Sequence, residues 1–513
     1  MKGELLSAAD ITAPLERRCD VCIIGSGAGG SVMAAELVAR GLDVVMIEEG
    51  SHYHASDFTL QEKDAIPAMY QDRGARTTAD GAITIMQGRT VGGSTTVNWT
   101  TCFRTPDRIL RHWQSTYGVP LDPSDLAEHF DAIEERLSIS RWPLEQANKN
   151  NQALLRGCER LGFNARGLRR NVKGCANTGY CGLGCPVEAK QAMAVTYLRD
   201  ALEGGLTLLS NVRVEHLDVG VRDINLVRGR VISPQAGAPD GVSVRIKPKV
   251  VVSSAGAING PALLLRSGLT GGGRVGYRTF LHPVVGALGL YEEPIEPYYG
   301  APQSVGCHDF IDRGAGRIGF FLETAPMQPM MAAVALDGFG DALQFAMQRL
   351  PNASALIALC VDGVTPGDDG GVVSLRSDGS PRLDYPVRKP LAEAFGEATK
   401  VLSRIHLAAG ANEVRPIHVD DPILRSESDL PILDKIPYGA HRHPIFTAHQ
   451  MGGCAMGADA KLCPTRPDFR LRGPSNLFIV DGSVLPTALG VNPSETIYAL
   501  ARHAAPIVAS FVY

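Results

Sequence analysis

Three glycines near the start of the chain have the spacing of a dinucleotide-binding loop. Gly25, Gly27 and Gly30 follow an apolar run that reads as a strand, and a helix pattern comes after them. Such glycines permit a tight turn, let backbone N–H groups approach a pyrophosphate, and let helix and strand pack closely. Glu48 ends the next apolar run, where its carboxylate can accept hydrogen bonds from a ribose. This order predicts a nucleotide-binding β-α-β unit.

A second group of residues that could do chemistry consists of three thiols, Cys175, Cys181 and Cys185. They lie among glycines, and Pro186 follows the last of them. Iron–sulfur clusters are held by such runs, which often end in Cys-Pro. The C-x₅-C-x₃-C spacing differs from the usual C-x₂-C run, and no fourth cysteine is close. Two interpretations stay open. The sequence favours a tight loop with buried thiols or one disulfide over a cluster, which would then be a three-iron form.

Composition points to a soluble enzyme of more than one domain. The chain has 513 residues, too many for a single core, with 44% hydrophobic residues and a net charge of −4. This charge gives no reason to expect nucleic acid as a partner, and no run of about 18 apolar residues predicts a transmembrane helix. The first residues lack the apolar core of a secretory signal. We expect a cytoplasmic protein, with attachment to a membrane periphery as the alternative.

Further patterns outline the elements that position these residues. A strand is predicted over 250–253, followed by a turn and a helix over 262–266, and another strand over 206–214. The glycine-rich stretch 269–276 marks a domain boundary. Beyond it, six soft or aromatic side chains either line an apolar substrate cavity or, as is more usual, belong to the core. They are Met327, Met330, Met331, Phe339, Phe345 and Met347.

Five stretches together resemble the glucose–methanol–choline (GMC) oxidoreductase family, whose members bind FAD. They are residues 22–30, 88–98, 256–269, 449–457 and 481–496. Gly260 and Thr270 depart from the usual second signature of the family, and neither position touches the chemistry. Within the family, the segments around Cys454 and Asn492 are most similar to the cholesterol oxidase and long-chain alcohol oxidase branch.

The resemblance implies an α/β fold with a Rossmann-type FAD-binding domain and a discontinuous α+β substrate-binding domain. The FAD-binding domain would comprise 17–276 and 441–513, the second part carrying the catalytic residues. Within the first part, 103–195 would contribute in part to the substrate side. Residues 277–440 would form the substrate-binding domain.

The resemblance also implies the chemistry. The family oxidises an alcohol by transferring a hydride from its carbon to flavin N5, and a histidine over the flavin takes the hydroxyl proton. That histidine matches His449, and the partner position matches Asn492, whose amide can hold the substrate oxygen. Asn492 can also cap the helix that starts near Pro493.

The cofactor site follows from the same comparison of motifs. The glycine loop would meet the pyrophosphate, Glu48 the ribose, the backbone of Val214 the adenine, and Asp481 the ribityl or phosphate region. The residues assigned to the cofactor are Gly25, Gly27, Gly30, Glu48, Arg89, Gly92, Gly93, Asn98, Val214, Asp481 and Pro493. Some members link FAD covalently through a histidine where this chain has Val97, so we expect non-covalent FAD.

The sequence thus predicts an FAD-dependent alcohol dehydrogenase or oxidase, with a lipid or sterol among the candidate substrates. The electron acceptor would be dioxygen or a redox partner. One alternative is a sugar or polyol dehydrogenase that passes electrons through an iron–sulfur cluster at Cys175, Cys181 and Cys185. Another is a non-oxidative flavin enzyme on the same fold.

Overall fold

Two large sheets organise the chain in the computed structural model, which describes residues 3–232, 241–314, 316–336 and 338–513. The strands, in chain order, are β1 (Glu4–Leu6), β2 (Leu15–Ile24), β3 (Val44–Ile47), β4 (Ile83–Ile85), β5 (Thr101–Cys102), β6 (Ile139–Arg141), β7 (Ala165–Gly167), β8 (Arg169–Asn171), β9 (Thr207–Leu209), β10 (Val212–Val219), β11 (Ile224–Val231), β12 (Ser243–Ser253), β13 (Tyr277–Phe280), β14 (Val284–Leu290), β15 (Val305–Cys307), β16 (Phe320–Thr324), β17 (Ala353–Cys360), β18 (Gly371–Leu375), β19 (Pro381–Asp384), β20 (Glu413–Pro416), β21 (Ile445–Thr447), β22 (Met451–Gly452) and β23 (Leu477–Ile479).

The helices connect and cover these sheets. In chain order they are α1 (Ala28–Val38), α2 (Glu62–Met69), α3 (Asp107–His112), α4 (Pro123–Arg136), α5 (Lys149–Leu161), α6 (Tyr197–Glu203), α7 (Asn259–Arg266), α8 (Pro329–Ala335), α9 (Asp341–Gln348), α10 (Lys389–Ala409) and α11 (Ser494–Ala509). Within the described residues, no helix is both long enough and apolar enough to cross a membrane.

The first sheet has the order β1-β9-β3-β2-β12-β11-β10, with β23 also beside β12. Its centre is parallel, and β3, which packs against α1, is buried along its whole length. Helix α1 packs against α6 and α11 on one of these faces. The glycine loop between β2 and α1 therefore starts at the carboxyl end of a parallel sheet, which is where nucleotide sites form in such folds.

The second sheet has the order β4-β21-β14-β17-β16-β15-β7 and is mostly antiparallel. Helices α5 and α10 cover it, and every residue of β14 and β17 is buried. Its strands come from segments before 170 and from 284 to 447, so this α+β part of the fold is discontinuous, as predicted. The domain limits drawn from the sequence stay a prediction.

Most predicted elements are present, with two differences. The strand expected over 206–214 is split into β9 and β10, because Asn211 turns the chain with a φ of 57°. The strand expected over 250–253 is the end of the longer β12, whose first half pairs with β11.

Candidate active site

A cavity of about 650 Å³ lies where the first sheet faces the second. The carboxyl ends of β2, β3 and β12 contribute its polar wall, which includes ten of the thirteen residues predicted for the catalytic and cofactor sites. The ten are Gly25, Gly27, Glu48, Gly93, Asn98, Val214, His449, Asp481, Asn492 and Pro493. The second sheet supplies an apolar wall of Val284, Ile357, Leu359 and Phe446.

Gly27 is the glycine whose missing side chain leaves room for a ligand. It stands just before α1 with a φ of −71°, which any residue can adopt, and a Cβ there would meet only the Gly93 Cα, 3.9 Å away. Protein packing therefore does not require glycine at this position, whereas a phosphate at the helix N-terminus would. At Gly30 a Cβ would clash with the Gly25 carbonyl, so this glycine serves the close packing of helix and strand that the spacing predicts, and it does not line the cavity.

Glu48 is held by the loop that it faces. Its carboxylate accepts hydrogen bonds from the Ser26 N–H at 2.9 Å, the Ser26 hydroxyl at 2.7 Å and the Gly50 N–H at 2.7 Å. Burial raises its pKa, and these donors offset part of that effect. Glu48 therefore fixes the glycine loop and still borders the cavity at the predicted ribose position.

Only part of the loop 88–98 lines the cavity. Asn98 lines the cavity, and its Oδ1 is buried without a hydrogen-bond partner. Gly92 lies behind the wall, where its N–H donates to the Ser26 hydroxyl at 3.0 Å. Arg89, which the resemblance assigns to the cofactor, does not line the cavity: its Nε lies 3.1 Å from the carboxylate of the partly buried Glu49. Its role toward the cofactor stays a prediction.

Asp481 closes the polar wall. Its carboxylate accepts hydrogen bonds from the Gly256 N–H and the Ser483 N–H, both at 2.7 Å, so it joins two turns at the sheet edge. Gly27, which protein packing does not require to be glycine, the Asn98 oxygen without a partner among the described residues, and two acids at the strand ends fit a dinucleotide. The residues that would hold FAD are those of this wall.

His449 and Asn492 meet at the end of the cavity next to the apolar wall. His449 lies between β21 and β22, Asn492 lies just before α11, and the His449 Nε2 is 3.3 Å from the Asn492 Nδ2. Burial lowers the pKa of His449 to about 4, so the ring is neutral at ordinary pH. The two residues that the sequence predicts as catalytic therefore form a neutral polar pair at one point.

His282, which sequence reasoning missed, lies behind His449. The Nδ1 atoms of the two rings are 3.1 Å apart, and the His282 Nε2 accepts the Gly490 N–H at 3.2 Å. Burial and the two neighbours His449 and Arg108 keep the pKa of His282 well below its usual range. A histidine followed by Pro283 carries no local signal for this role.

Glu323, also missed, is a fully buried acid in β16. It pairs with Ile357 of β17, whose side chain lines the cavity, so both project from the same face. Neither carboxyl oxygen has a hydrogen-bond partner, and burial raises its pKa to about 8, with the nearby Asn492 amide acting in the opposite direction. A lone acid after the apolar run 320–322 was the available sequence signal.

The cysteine loop supports the cavity wall rather than forming a ligand set. Among the described residues, no group of three or more His, Cys, Asp or Glu is placed to hold a metal ion, and all eleven cysteines are free. Cys181 faces the buried Arg170, whereas the Cys185 sulfur accepts the Lys190 N–H. The Lys190 ammonium donates to the carbonyls of Thr96, Asn98 and Cys181, which ties the two loops together.

The methionine and phenylalanine group does not line the cavity, so that interpretation is wrong. Only Met327 is in the core, where it packs against the apolar strands of the second sheet. Phe339 and Phe345 are 89% and 59% exposed, whereas α8 packs on the sheet through Ala332 and Ala335 and α9 through Met347.

Comparison with known proteins shows the family of this chain. A family model described as GMC oxidoreductase matches residues 66–284, and a second model of the same description matches 366–501. An NAD(P)-binding Rossmann-like domain matches 23–82. A GMC-type oxidoreductase of Mycobacterium tuberculosis is 33% identical over 97% of this chain and 77% of its own length. The chain belongs to the GMC oxidoreductase family. This GMC oxidoreductase is an FAD-dependent enzyme that acts on CH–OH groups.

Named relatives and solved structures extend the likeness. The long-chain-alcohol oxidase FAO4B of Arabidopsis thaliana is 30% identical over 94% of this chain and 66% of its own length. The crystal structure of pyridoxine 4-oxidase from Mesorbium loti superposes with a TM-score of 0.68 at 20% identity, over 95% of this chain and 98% of that one. Formate oxidase superposes with a TM-score of 0.70 at 15% identity, over 97% and 99%. At these identities the structures show the shared fold.

The Gly27 position tests the cofactor site. Gly27→Val should leave a folded protein that binds no FAD, because the new side chain has room among protein atoms but occupies the approach of the pyrophosphate. The measurement is the flavin-to-protein ratio after purification, with circular dichroism to report folding. Gly41→Ala, at an open surface turn, is the control and should load normally. A Gly27→Val protein that carries a full complement of FAD would remove the loop from the site.

Proposed function

We propose that this enzyme oxidises an alcohol with an apolar body to the aldehyde or ketone, with FAD bound non-covalently. The observation that carries the proposal is the neutral pair of His449 and Asn492, placed between the cofactor wall and the apolar wall. When bound, FAD supplies a hydride acceptor at flavin N5. The protein then has to hold the substrate oxygen and remove its proton.

The apolar wall supports a lipid-like substrate. Val284, Ile357, Leu359 and Phe446 offer no hydrogen-bonding side chain to a sugar or polyol, which would leave its hydroxyl groups unpaired. The likeness to a long-chain-alcohol oxidase points the same way. We therefore favour a long-chain primary alcohol over a polyol, and dioxygen over a protein partner as the electron acceptor. The dehydrogenase with an iron–sulfur cluster has less support, since the thiols at 175, 181 and 185 face different partners.

Two side chains are candidates to accept the hydroxyl proton. The family resemblance predicts His449, and that role stays a prediction. With a pKa of about 4, however, His449 would be a weak base. Glu323, with a pKa of about 8, would be a stronger one, and it lies beside Asn492. We propose Glu323 as the acceptor, reached through one water, because a general base works best with a pKa near the operating pH.

A substrate panel under anaerobic conditions tests the reaction class. Primary alcohols of increasing chain length should bleach the flavin progressively faster, whereas glucose and glycerol should leave it yellow. Reoxidation by dioxygen is then compared with reoxidation by an artificial dye. Bleaching by polyols alone, or by no alcohol at all, would contradict the proposal.

The pair at the substrate oxygen is tested by substitution. His449→Ala should keep its FAD but lose at least ~100-fold in the rate of flavin reduction, because the group at the reacting oxygen is gone. Asn492→Ala should lose less, because it orients the oxygen only. Stopped-flow reduction under nitrogen measures both rates. Near-normal reduction of His449→Ala would exclude His449 from the chemistry.

The pH dependence of kcat/KM separates the two acceptors. If Glu323 takes the proton, kcat/KM should fall as the pH falls through about 8, because the protonated carboxyl can no longer accept. If His449 takes it, kcat/KM should hold down to about pH 4. Glu323→Gln keeps the shape of the side chain. Its kcat/KM should fall by roughly 10²–10⁴-fold, and the dependence of kcat/KM on pH near 8 should disappear. A wild-type profile that does not fall as the pH is lowered through about 8 would overturn the role of Glu323.

A further inference from the structure

Helices α8 and α9, with the turn between them, form an apolar surface element that we call the α8–α9 pair, residues 329–348. Helix α8 consists of Pro329 and six alanine, methionine or valine residues, yet Ala332 is the only one of the seven that is buried. Five of the eight residues of α9 are apolar, and none of the eight is buried. The apolar side of a surface helix normally faces the core. Much of the apolar surface of this pair instead faces away from the core.

The exposed side chains of the pair are large. Phe339 and Val334 are 89% and 79% exposed, and Phe345 and Met330 are exposed as well. Because α8 and α9 contact each other, these four side chains belong to one region of the surface. Single exposed apolar residues need no explanation, but a group of them marks an interaction site.

The composition of the pair indicates the class of its partner. Residues 329–348 contain no lysine or arginine, and their only charged side chains are the acids Asp337 and Asp341. Nucleic acids and anionic lipid surfaces are bound by basic side chains, so neither of them fits this region. The composition fits an apolar partner without net charge.

The shape of the turn favours a fluid partner over a rigid one. Phe339 stands between Gly338 and Gly340, whose φ angles of 107° and 58° belong to the left-handed region that favours glycine. This tight turn projects the phenylalanine, so little protein surface surrounds it on which a rigid partner could pack. Lipid chains, in contrast, can enclose a projecting side chain from all sides.

A tyrosine stands at the base of the pair. Tyr299 is exposed, and the carbonyl of its neighbour Tyr298 accepts a hydrogen bond at 3.2 Å from the amide of Gln328, the residue just before α8. Tyrosine is enriched at the boundary between lipid and water because its ring is apolar and its hydroxyl stays in water. Apolar side chains at the tip and a tyrosine at the base fit a segment that enters the surface of a bilayer.

The pair is fixed to the protein at its base. The Glu62 carboxylate accepts the N–H groups of Met330 and Met331 at 2.6 and 2.9 Å, which holds the start of α8. Ala332 and Met347 pack in the same apolar cluster as the apolar wall of the cavity. This cluster therefore links the surface pair to the substrate side of the site.

We propose that the α8–α9 pair docks on the surface of a zwitterionic lipid bilayer, into which Phe339 and Val334 insert, and that the enzyme takes up its alcohol there. The uptake of a long-chain alcohol rests on the proposed function, whereas the docking rests on the surface of the pair alone. Insertion removes apolar side chains from water, and this burial supplies the binding free energy.

Sedimentation of the FAD-loaded enzyme with phosphatidylcholine vesicles, in the absence of any alcohol, tests the docking. The wild type should bind. The double variant Val334→Ser with Phe339→Ser should bind about 10–100-fold more weakly, because burial of each side chain is worth on the order of tenfold. The control replaces an aliphatic and an aromatic residue of similar exposure elsewhere, Val221→Ser with Tyr513→Ser, and should bind as the wild type does.

Tryptophan fluorescence reports the insertion directly and keeps an aromatic ring at the tip. In Phe339→Trp, phosphatidylcholine brominated on its acyl chains should quench the added tryptophan, because the ring lies among those chains. In Tyr513→Trp the same lipid should leave the added tryptophan unquenched. Quenching of neither tryptophan, or of both to the same extent, would contradict insertion of the pair.

Activity measurements test the uptake of the alcohol. In the double variant at 334 and 339, kcat/KM for a long-chain alcohol carried in vesicles should fall about 10–100-fold, as vesicle binding does. The value for a shorter alcohol dissolved in water should stay unchanged, because neither residue lines the cavity. An equal loss with both alcohols would overturn the uptake route.

Other outcomes would overturn the docking itself. They are no vesicle binding by the wild type, equal binding by the two double variants, and binding that requires anionic lipid. Analytical ultracentrifugation would do the same if it shows a dimer that the double variant at 334 and 339 abolishes, since a second copy of the chain would then cover the pair. Vesicle binding together with a flavin that no alcohol reduces would contradict the proposed function and leave the docking in place.

Discussion

The contact between the buried rings of His282 and His449 is the interaction on which the geometry of the site depends. The Gly490 N–H donates to the His282 Nε2, so the first ring is held from the backbone. The Asn492 amide lies 3.3 Å from the Nε2 of the second ring. This arrangement requires the Gly490 turn, the His282 turn and the His449 loop to be rigid with respect to one another.

Burial without a compensating charge shapes the energetics of the site. Among the described residues, Glu323 has no cation beside it and His449 has no carboxylate, so the low-dielectric surroundings favour the neutral form of both. The imidazole is therefore uncharged near neutral pH, whereas the carboxyl ionises only as the pH rises through about 8. The alcohol that we propose as substrate would displace little tightly held water from such a site. An apolar wall on the second sheet completes the same environment.

Local patterns in the sequence predict most residues of the polar wall. The positions of the other site residues depend on pairing between strands that are far apart in sequence. The glycine loop and Glu48 belong to one β-α-β unit, so their spacing alone specifies their place. His282 and His449 are 167 residues apart and meet only because β13 pairs with β22 and β14 pairs with β21. Glu323 enters through the pairing of β16 with β17. The ion pair of Arg89 with Glu49 joins two loops that are far apart in sequence, so loop composition alone cannot predict it.

We propose that a carbinol C–H bond is broken as a hydride in the cavity between the two sheets. Anaerobic stopped-flow reduction of the flavin by a long-chain primary alcohol, compared with the same alcohol carrying deuterium at the carbinol carbon, tests this step. We expect the deuterated alcohol to bleach the flavin more slowly and the aldehyde to form in an amount equal to the flavin reduced. Equal rates with both alcohols under conditions of single turnover, or bleaching without aldehyde, would contradict it.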